Sequence, residues 1–212
     1  MPIVRRRLDV IGLLLGAVVL ALASLPIDAN SVSDFEASVF RVINELPGFV
    51  YCGVYVVMQL GNFLVVPIVA IVSALTRRYR LAAAIAASGT LVWLVAKVIK
   101  VVVERGRPAE LLDDVIRRHA PAVGHGYVSG HAAVAVALAT VLAPYLNRPL
   151  RIAVWTLAAS VCIARIYVGA HLPLDSVGGA AFGWAVGSLV NLAAGVPARQ
   201  PKPTHFERAR RE

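Results

Sequence analysis

The stretch from Ala164 to Asp175 places an arginine, a histidine and an aspartate at the end of a long apolar run. Ionisable groups at the edge of a membrane core are costly and are usually functional. His171 and Asp175 lie four residues apart, so one helical turn would stack them on the same face. The carboxylate would then orient the imidazole and stabilise its charged form. Taken alone, Arg165 equally fits an interfacial arginine and Asp175 a helix cap.

Two other stretches carry side chains that suit the same chemistry. Residues 100–108 read K-V-V-V-E-R-G-R-P, and residues 126–131 read G-Y-V-S-G-H. Ser129 and Gly130 would begin a helix, where backbone N–H groups and the helix dipole favour an anion. Forked arginine donors and a lysine charge suit phosphate oxygens. The cations and imidazoles that the three stretches would bring together are Lys100, Arg107, Arg165, His131 and His171.

Each of these groups also has a purely structural interpretation. Lys100 would be an interfacial lysine, Arg107 part of a turn, and Ser129 a helix cap before a hydrogen-bonded histidine. A chance meeting of all three stretches at one membrane face is much rarer, so together they favour a phosphate site. Four other basic residues are placed outside that site: Lys97, which lies deeper and off the pattern, and Arg105, His119 and His125, which belong to a loop.

The composition is that of a polytopic membrane protein. Of 212 residues, 58% are hydrophobic and only 16% are charged, and the mean hydropathy is +0.73. The net charge of +9 comes from short basic clusters between apolar runs. Such clusters indicate membrane topology and headgroup contacts, not nucleic-acid binding. Cys52 and Cys162 lie inside apolar runs and are interpreted as small buried hydrophobes.

Six apolar runs predict an all-α bundle of six membrane spans. Gly61, Asn62 and Pro67 predict a kink or close packing in the second. The first run could instead be a cleaved signal peptide, but it is long for that role. The runs extend over approximately residues 8–26, 49–75, 81–103, 128–147, 152–169 and 176–194.

Two segments between spans predict short amphipathic helices. Residues 28–47 repeat apolar side chains at helical spacing, with Ser33 or Asp34 near the start. This helix would lie on the outer leaflet or pack on the bundle. The second helix would lie in the mixed-charge loop 104–126, with Leu111, Leu112, Val115 and Ile116 on its apolar face.

Topology follows from the basic clusters. With six spans, the clusters at the N-terminus, at 77–80, at 148–151 and in the tail fall on one side, so both termini would be cytoplasmic. The three polar stretches then lie at the outer ends of spans three, four and five. Residues 1–198 would form one six-helix transmembrane domain, and residues 199–212 a basic, disordered tail.

These motifs resemble those of the type 2 phosphatidic acid phosphatase family of membrane lipid phosphatases. The family pattern is lysine, six residues and Arg-Pro; then Pro-Ser-Gly-His; then Ser-Arg, five residues, His, three residues and Asp. Val128 replaces the family's proline and Ala164 its serine, and both positions shape the site. The positions that match are Lys100, Arg107, Pro108, Ser129, Gly130, His131, Arg165, His171 and Asp175.

The resemblance implies a role for each matched residue. His171 would attack phosphorus and form a phosphohistidine, with Asp175 orienting it, and His131 would protonate the leaving oxygen and later activate water. Three cations would serve in place of a metal, and we see no carboxylate cluster for Mg²⁺, so no cofactor is expected. The groups implied to hold the phosphoryl oxygens are Lys100, Arg107, Ser129, Gly130 and Arg165.

The resemblance also implies an amphiphilic substrate whose phosphate lies at the outer membrane boundary. Polyprenyl diphosphate is favoured, and phosphatidylglycerol phosphate and phosphatidic acid are alternatives. The expected location is a bacterial plasma membrane, with an extracytoplasmic site and with lipid, not nucleic acid, as the partner. Two other functions stay open: a lipid-to-lipid phosphotransferase and a phospholipid or phosphate carrier.

Overall fold

A computed structural model of the chain describes residues 2–198. The predicted tail, residues 199–212, lies outside the described residues. A two-stranded antiparallel sheet joins β1 (Ile3–Val4) to β2 (Val196–Pro197). The helices are α1 (Arg7–Ser24), α2 (Asp34–Asn44), α3 (Tyr51–Met58), α4 (Val65–Leu75), α5 (Tyr79–Val103), α6 (Pro108–Leu111), α7 (Gly130–Leu142), α8 (Arg148–Tyr167) and α9 (Pro173–Ala194).

Among residues 2–198, four helices are long and apolar enough to cross a membrane: α1, α5, α8 and α9. The pair α3 and α4 passes the same test together and would be a fifth span, bent by 65° at residues 62–64. At the bend, the Asn62 side chain accepts a hydrogen bond of 3.0 Å from the Leu64 N–H. The predicted kink is therefore confirmed, and Pro67 is tolerated because it lies in the first turn of α4.

Helix α7 is the centre of the bundle. Every residue from Ala132 to Val141 is buried, whichever side of the helix it occupies. A helix that is apolar and buried all round belongs to a core and not to a lipid-facing surface. Its 13 residues span only about 20 Å at 1.5 Å per residue. Helices α5, α8 and α9 pack around it.

Glycines set the closest helix contacts. Gly179, Gly183 and Gly187 recur every four residues on α9, and a Cβ atom at each would meet the backbone or side chains of Ser129 and α7. On another face of α9, Gly12 and Gly16 of α1 make equally close contacts. Small residues at this spacing allow helix backbones to approach closely inside a membrane. They fix α9 between α1 and α7.

Helix α2 packs across one end of the bundle. Ser33 is its N-cap, and its Oγ accepts a hydrogen bond of 3.3 Å from the Glu36 N–H. The buried face carries Glu36, Ala37, Phe40 and Asn44. The predicted helix is confirmed, and of its two predicted placements the structure shows packing on the bundle. Its buried face is not the predicted apolar one, since Glu36 and Asn44 are buried and Phe35 is 80% exposed.

The prediction of a second amphipathic helix, in the loop 104–126, is wrong. Helix α6 ends at Leu111, and the next residues instead run across α2. The Asn44 side chain bonds both main-chain groups of Ile116, each at 2.9 Å, in place of helical partners. Leu112 and Val115 pack against Phe40. Their apolar spacing reflects this packing and not a helical turn.

The bundle has two chemically different ends. The main-chain carbonyls at the end of α9 accept hydrogen bonds from basic side chains, that of Leu192 from Arg5 at 3.0 Å and that of Ala194 from Arg80. The basic clusters of the N-terminus and of residues 77–80 therefore lie together. The three polar stretches lie at the opposite end, where α9 begins.

We expect Gly183→Val to destabilise the bundle, because its side chain would collide with the Ala133 backbone. Overpacking of this kind costs about 1–3 kcal/mol, which corresponds to a melting temperature lower by roughly 2–12 °C. The measurement is thermal unfolding of the purified protein in detergent. Gly53→Val is the control, since a Cβ atom there meets nothing within 4 Å. Equal melting temperatures for the two variants would contradict the assignment of this contact.

Candidate active site

Hydrogen bonds to main-chain carbonyls join the three polar stretches. The Gly126 N–H donates to the Arg105 carbonyl at 2.7 Å, and the Ser129 N–H donates to the Asp175 carbonyl at 2.9 Å. The Arg107 guanidinium donates to the Ala170 carbonyl at 2.9 Å. The end of α5, the start of α7 and the α8–α9 turn are therefore parts of one site.

His171 and Asp175 are both buried, with 3% and 0% of their surface exposed. The prediction that they share a helical turn is wrong, because α9 begins only at Pro173. His171 lies in the preceding turn, with its Nδ1 3.5 Å from Asp175 Oδ2. That oxygen accepts a hydrogen bond of 2.9 Å from the Leu172 N–H. Since Nδ1 faces the carboxylate, Nε2 is the nitrogen available to a substrate.

The environment of His171 keeps its imidazole neutral. Burial lowers its pKa well below the usual value, and the positive charges of Arg165, Lys100 and Arg107 lower it further. A neutral imidazole retains the lone pair that a nucleophile needs.

Arg165 supports the same turn. It is 7% exposed, and its carbonyl accepts the N–H groups of Ala170 and His171 at 3.1 and 3.2 Å. Its guanidinium contacts Met58 Sδ at 3.2 Å, while its buried Nε has no hydrogen-bond partner among residues 2–198. A buried guanidinium with unused donors is suited to bind an anion.

Lys100 and Arg107 are bonded to the loop that precedes α7. Lys100 Nζ donates to the carbonyls of His125 at 2.8 Å and Gly126 at 3.1 Å. Arg107 Nε donates to the Val123 carbonyl at 3.0 Å. Residues 123–126 thus lie against the site, and a bound phosphate would compete with these carbonyls for the same cations.

The start of α7 supplies the remaining predicted residues. Ser129 is the N-cap, and its buried Oγ finds no hydrogen-bond partner in the described part of the chain. There is open space beside Gly130, since a Cβ atom placed there would meet nothing within 4 Å. His131 is half-buried and lines a cavity of about 360 Å³ together with Lys97, Lys100 and Gly130.

Arg105 lies in the loop between α5 and α6, as predicted, but it is part of the site and not outside it. It is 1% exposed, and one of its nitrogens donates to Asp175 Oδ1 at 2.9 Å. It also pairs with both carboxylate oxygens of Glu36, at 3.2 and 2.6 Å. Burial alone would lower the pKa of Arg105, but the hydrogen bonds and charges of Glu36 and Asp175 raise it above the usual value.

Glu36 links α2 to the site. Besides the Arg105 pair, its Oε1 accepts a hydrogen bond of 2.9 Å from the Leu174 N–H. Sequence reasoning missed both Glu36 and Arg105. The available signal for Glu36 was its position four residues before Phe40, which places an acidic side chain on the buried face of an amphipathic helix.

The side chains of the site form a poor donor set for a metal ion. Within residues 2–198, no three His, Cys, Asp or Glu side chains are grouped so that they could hold one. Glu36 and Asp175 share a guanidinium instead.

Two solved membrane-protein structures resemble this fold. LpxE from Aquifex aeolicus superposes with a TM-score of 0.68 at 25% identity, covering 73% of this chain and 93% of that one. The first transmembrane PAP2 type phosphatidylglycerolphosphate phosphatase from Bacillus subtilis gives a TM-score of 0.67 at 23% identity, covering 86% and 94%. A comparison with curated protein sequences gave no significant match.

A protein-family profile matches the part of the chain that carries the site. The profile of the PAP2 superfamily matches residues 78–195, which contain all three polar stretches and helices α5 to α9. This match covers more than half of the sequence, and the chain therefore belongs to the PAP2 superfamily.

Proposed function

We propose that this protein is an integral-membrane lipid phosphatase that hydrolyses a phosphate ester or diphosphate headgroup through a phosphohistidine at His171. The observation that carries the proposal is a buried imidazole whose Nδ1 lies 3.5 Å from Asp175 Oδ2, in a site where burial and three positive side chains lower its pKa. Membership of the PAP2 superfamily supports the reaction class. Polyprenyl diphosphate is the favoured substrate, and phosphatidylglycerol phosphate and phosphatidic acid are the alternatives.

In the first step, His171 Nε2 forms a bond to phosphorus while the bond from phosphorus to the leaving oxygen breaks. That oxygen takes a proton from His131, whose charged form is favoured once the substrate phosphate offsets the positive side chains around it. Asp175 faces His171 Nδ1 and stabilises the positive charge that develops on the ring. The products are the dephosphorylated lipid and a phosphorylated His171.

In the second step, water attacks the phosphohistidine. His131, now neutral, takes a proton from this water, and the P–N bond breaks to return the electron pair to His171. Inorganic phosphate is released. His131 is charged again and His171 neutral, so both histidines are ready for another turnover.

The cations and N–H groups stabilise charge on the transferring phosphoryl group. Lys100, Arg107 and Arg165 approach from three separate helices or their ends. The start of α7 adds the Gly130 N–H and the Ser129 hydroxyl, since the Ser129 N–H is bonded to the Asp175 carbonyl. Fixed donors of this kind need little rearrangement in the transition state. We propose that they replace a metal ion, a role that the scarcity of grouped carboxylates among residues 2–198 supports.

The proposed membrane arrangement has six spans, counting α3 with α4 as one and α7 as the central span. Both termini would be cytoplasmic, because the basic clusters lie at the end of the bundle opposite the site. The site would then be extracytoplasmic, in a domain that extends over residues 1–198. The polar groups gather at one end of the bundle and not near its midplane, which favours an enzyme over a carrier.

The central test is release of inorganic phosphate by the purified full-length protein from lipid mono- and diphosphates. We expect release by the wild type, and a loss of at least about 10³-fold in His171→Ala with lipid binding retained, since the nucleophile is gone. Unchanged hydrolysis in His171→Ala would remove this residue from the mechanism. Transfer of labelled phosphate between lipids without its release would identify a phosphotransferase.

Metal independence is tested with a chelator. We expect the rate of phosphate release to stay within about twofold in excess EDTA, because the three cations provide the stabilisation that Mg²⁺ supplies in other phosphoryl-transfer enzymes. The control is a Mg²⁺-dependent phosphatase in the same buffer. Activity lost in chelator and restored by Mg²⁺ would refute the proposal.

Glu36→Gln tests the support of Asp175. Loss of one charge from a buried pair should lower the free energy of unfolding by about 2 kcal/mol. A displaced Asp175 should lower kcat about tenfold. The measurements are thermal unfolding and phosphate release. Glu45→Gln, at the exposed end of the same helix, is the matched control. Identical behaviour of the two variants would show that the buried pair does not hold Asp175.

A further inference from the structure

A cavity leads from the catalytic histidine into the membrane-spanning region. Its volume is about 360 Å³, and it lies between the bend of α3–α4, α5 and the start of α7. Lys100 and His131 line the part that belongs to the site. Phe63, Trp93 and Lys97 line the remainder. The cavity therefore continues the phosphate site toward the level of the lipid tails.

Lys97 is the unexplained group in this cavity. It lies on α5 three residues before Lys100, which places it about 4.5 Å deeper along the helix axis. Its Nζ is 3.3 Å from the centroid of the Trp93 ring, and Trp93 is itself stacked on Phe63 at 5.3 Å. No carboxylate in the described part of the chain pairs with it. Lys97 is exposed on the surface of the protein, so in a membrane its ammonium would face the edge of the hydrocarbon, where a charge is costly and usually functional.

The proposed reaction decides which part of a substrate meets this cavity. His131 gives its proton to the leaving oxygen, so the leaving group must lie on the His131 side of the phosphorus atom. The cavity is on that side, because His131 lines it. The leaving group is also the part that carries the lipid tail. It must therefore pass Lys97 on its way to the hydrocarbon.

Resting on the proposed function, we propose that Lys97 binds the second phosphate of a lipid diphosphate, the phosphate that departs with the lipid. In the first step the P–O bridge breaks, and the bridging oxygen stays on a lipid monophosphate that Lys97 neutralises. A lipid monophosphate substrate instead releases a neutral alcohol after protonation by His131. The neutral alcohol offers Lys97 no negative charge to pair with, so Lys97 favours lipid diphosphates over lipid monophosphates.

The aromatic pair of Phe63 and Trp93 stabilises the Lys97 ammonium when no anion is bound to it. Without an anion, the ammonium lies on the Trp93 face, where a cation–π contact offsets part of its desolvation. A phosphate oxygen offers a full negative charge and a stronger hydrogen bond. The ammonium then needs only to rotate from the ring to the anion, while the apolar surfaces of Phe63 and Trp93 contact the first part of the chain.

The test compares two substrates with the same tail, farnesyl diphosphate and farnesyl monophosphate, using full-length protein in nanodiscs. The readout is the ratio of their kcat/KM values. In Lys97→Met, which keeps length but removes charge, this ratio is expected to fall about tenfold. Lys97→Arg, which keeps the charge, is the matched control and should retain the ratio within about threefold.

A second measurement does not require turnover. Thermal stabilisation by farnesyl methylenediphosphonate, compared with farnesyl phosphonate, reports binding to the subsite alone. The diphosphonate should lose its advantage in Lys97→Met and keep it in Lys97→Arg. If the wild type releases phosphate from neither substrate, the proposed function fails, and this binding difference still decides the subsite. An unchanged ratio and unchanged binding advantage in Lys97→Met, or an equal loss in both variants, would overturn the proposal.

Discussion

The site depends on one buried guanidinium, that of Arg105. It bonds Asp175 on one side and both oxygens of Glu36 on the other, so three distant parts of the chain meet at a single charge. A buried carboxylate without a partner would be expensive, and removing one member of such a cluster leaves another uncompensated. Asp175 can therefore be buried beside His171. At the same time it caps α9 by accepting a hydrogen bond from the Leu172 N–H. The orientation of the imidazole follows from this arrangement.

Packing in the membrane-spanning part and chemistry at its end are linked through α9. Gly179 allows the backbone of Ser129 to approach α9, and Gly178 leaves room for the Tyr127 ring. The start of α7, with its N–H groups, is thereby held next to the turn that carries His171. The Tyr127 hydroxyl lies 2.6 Å from Ser24 Oγ, which extends the contact to α1. Small side chains far from any reacting atom thus determine where the anion-binding end of α7 lies.

The sequence predicts local features well and long-range pairing poorly. Apolar runs and helix caps, such as Ser33, are encoded within a few residues, so α2 and five of the six predicted spans have counterparts in the structure, counting the bent pair α3–α4 as one. The predicted fourth span is instead the short, buried α7. The pairing of Glu36 with Arg105 joins positions 69 residues apart and leaves no local pattern. Lys97 likewise acquires its surroundings from a bend in another span. The turn holding His171 differs from the predicted helix because Pro173 starts α9 two residues later.

The carbonyls that face Lys100 and Arg107 are acceptors with which any anion in the site must compete. Main-chain oxygens of residues 123–126 occupy donors that a phosphoryl group would use. The binding free energy of an anion is consequently the difference between its own hydrogen bonds to these donors and those of the carbonyls that it displaces. Weak acceptors such as chloride gain little from the exchange, whereas a doubly charged oxyanion gains several contacts at once. The carbonyls of residues 123–126 therefore make the site discriminate against simple anions such as chloride.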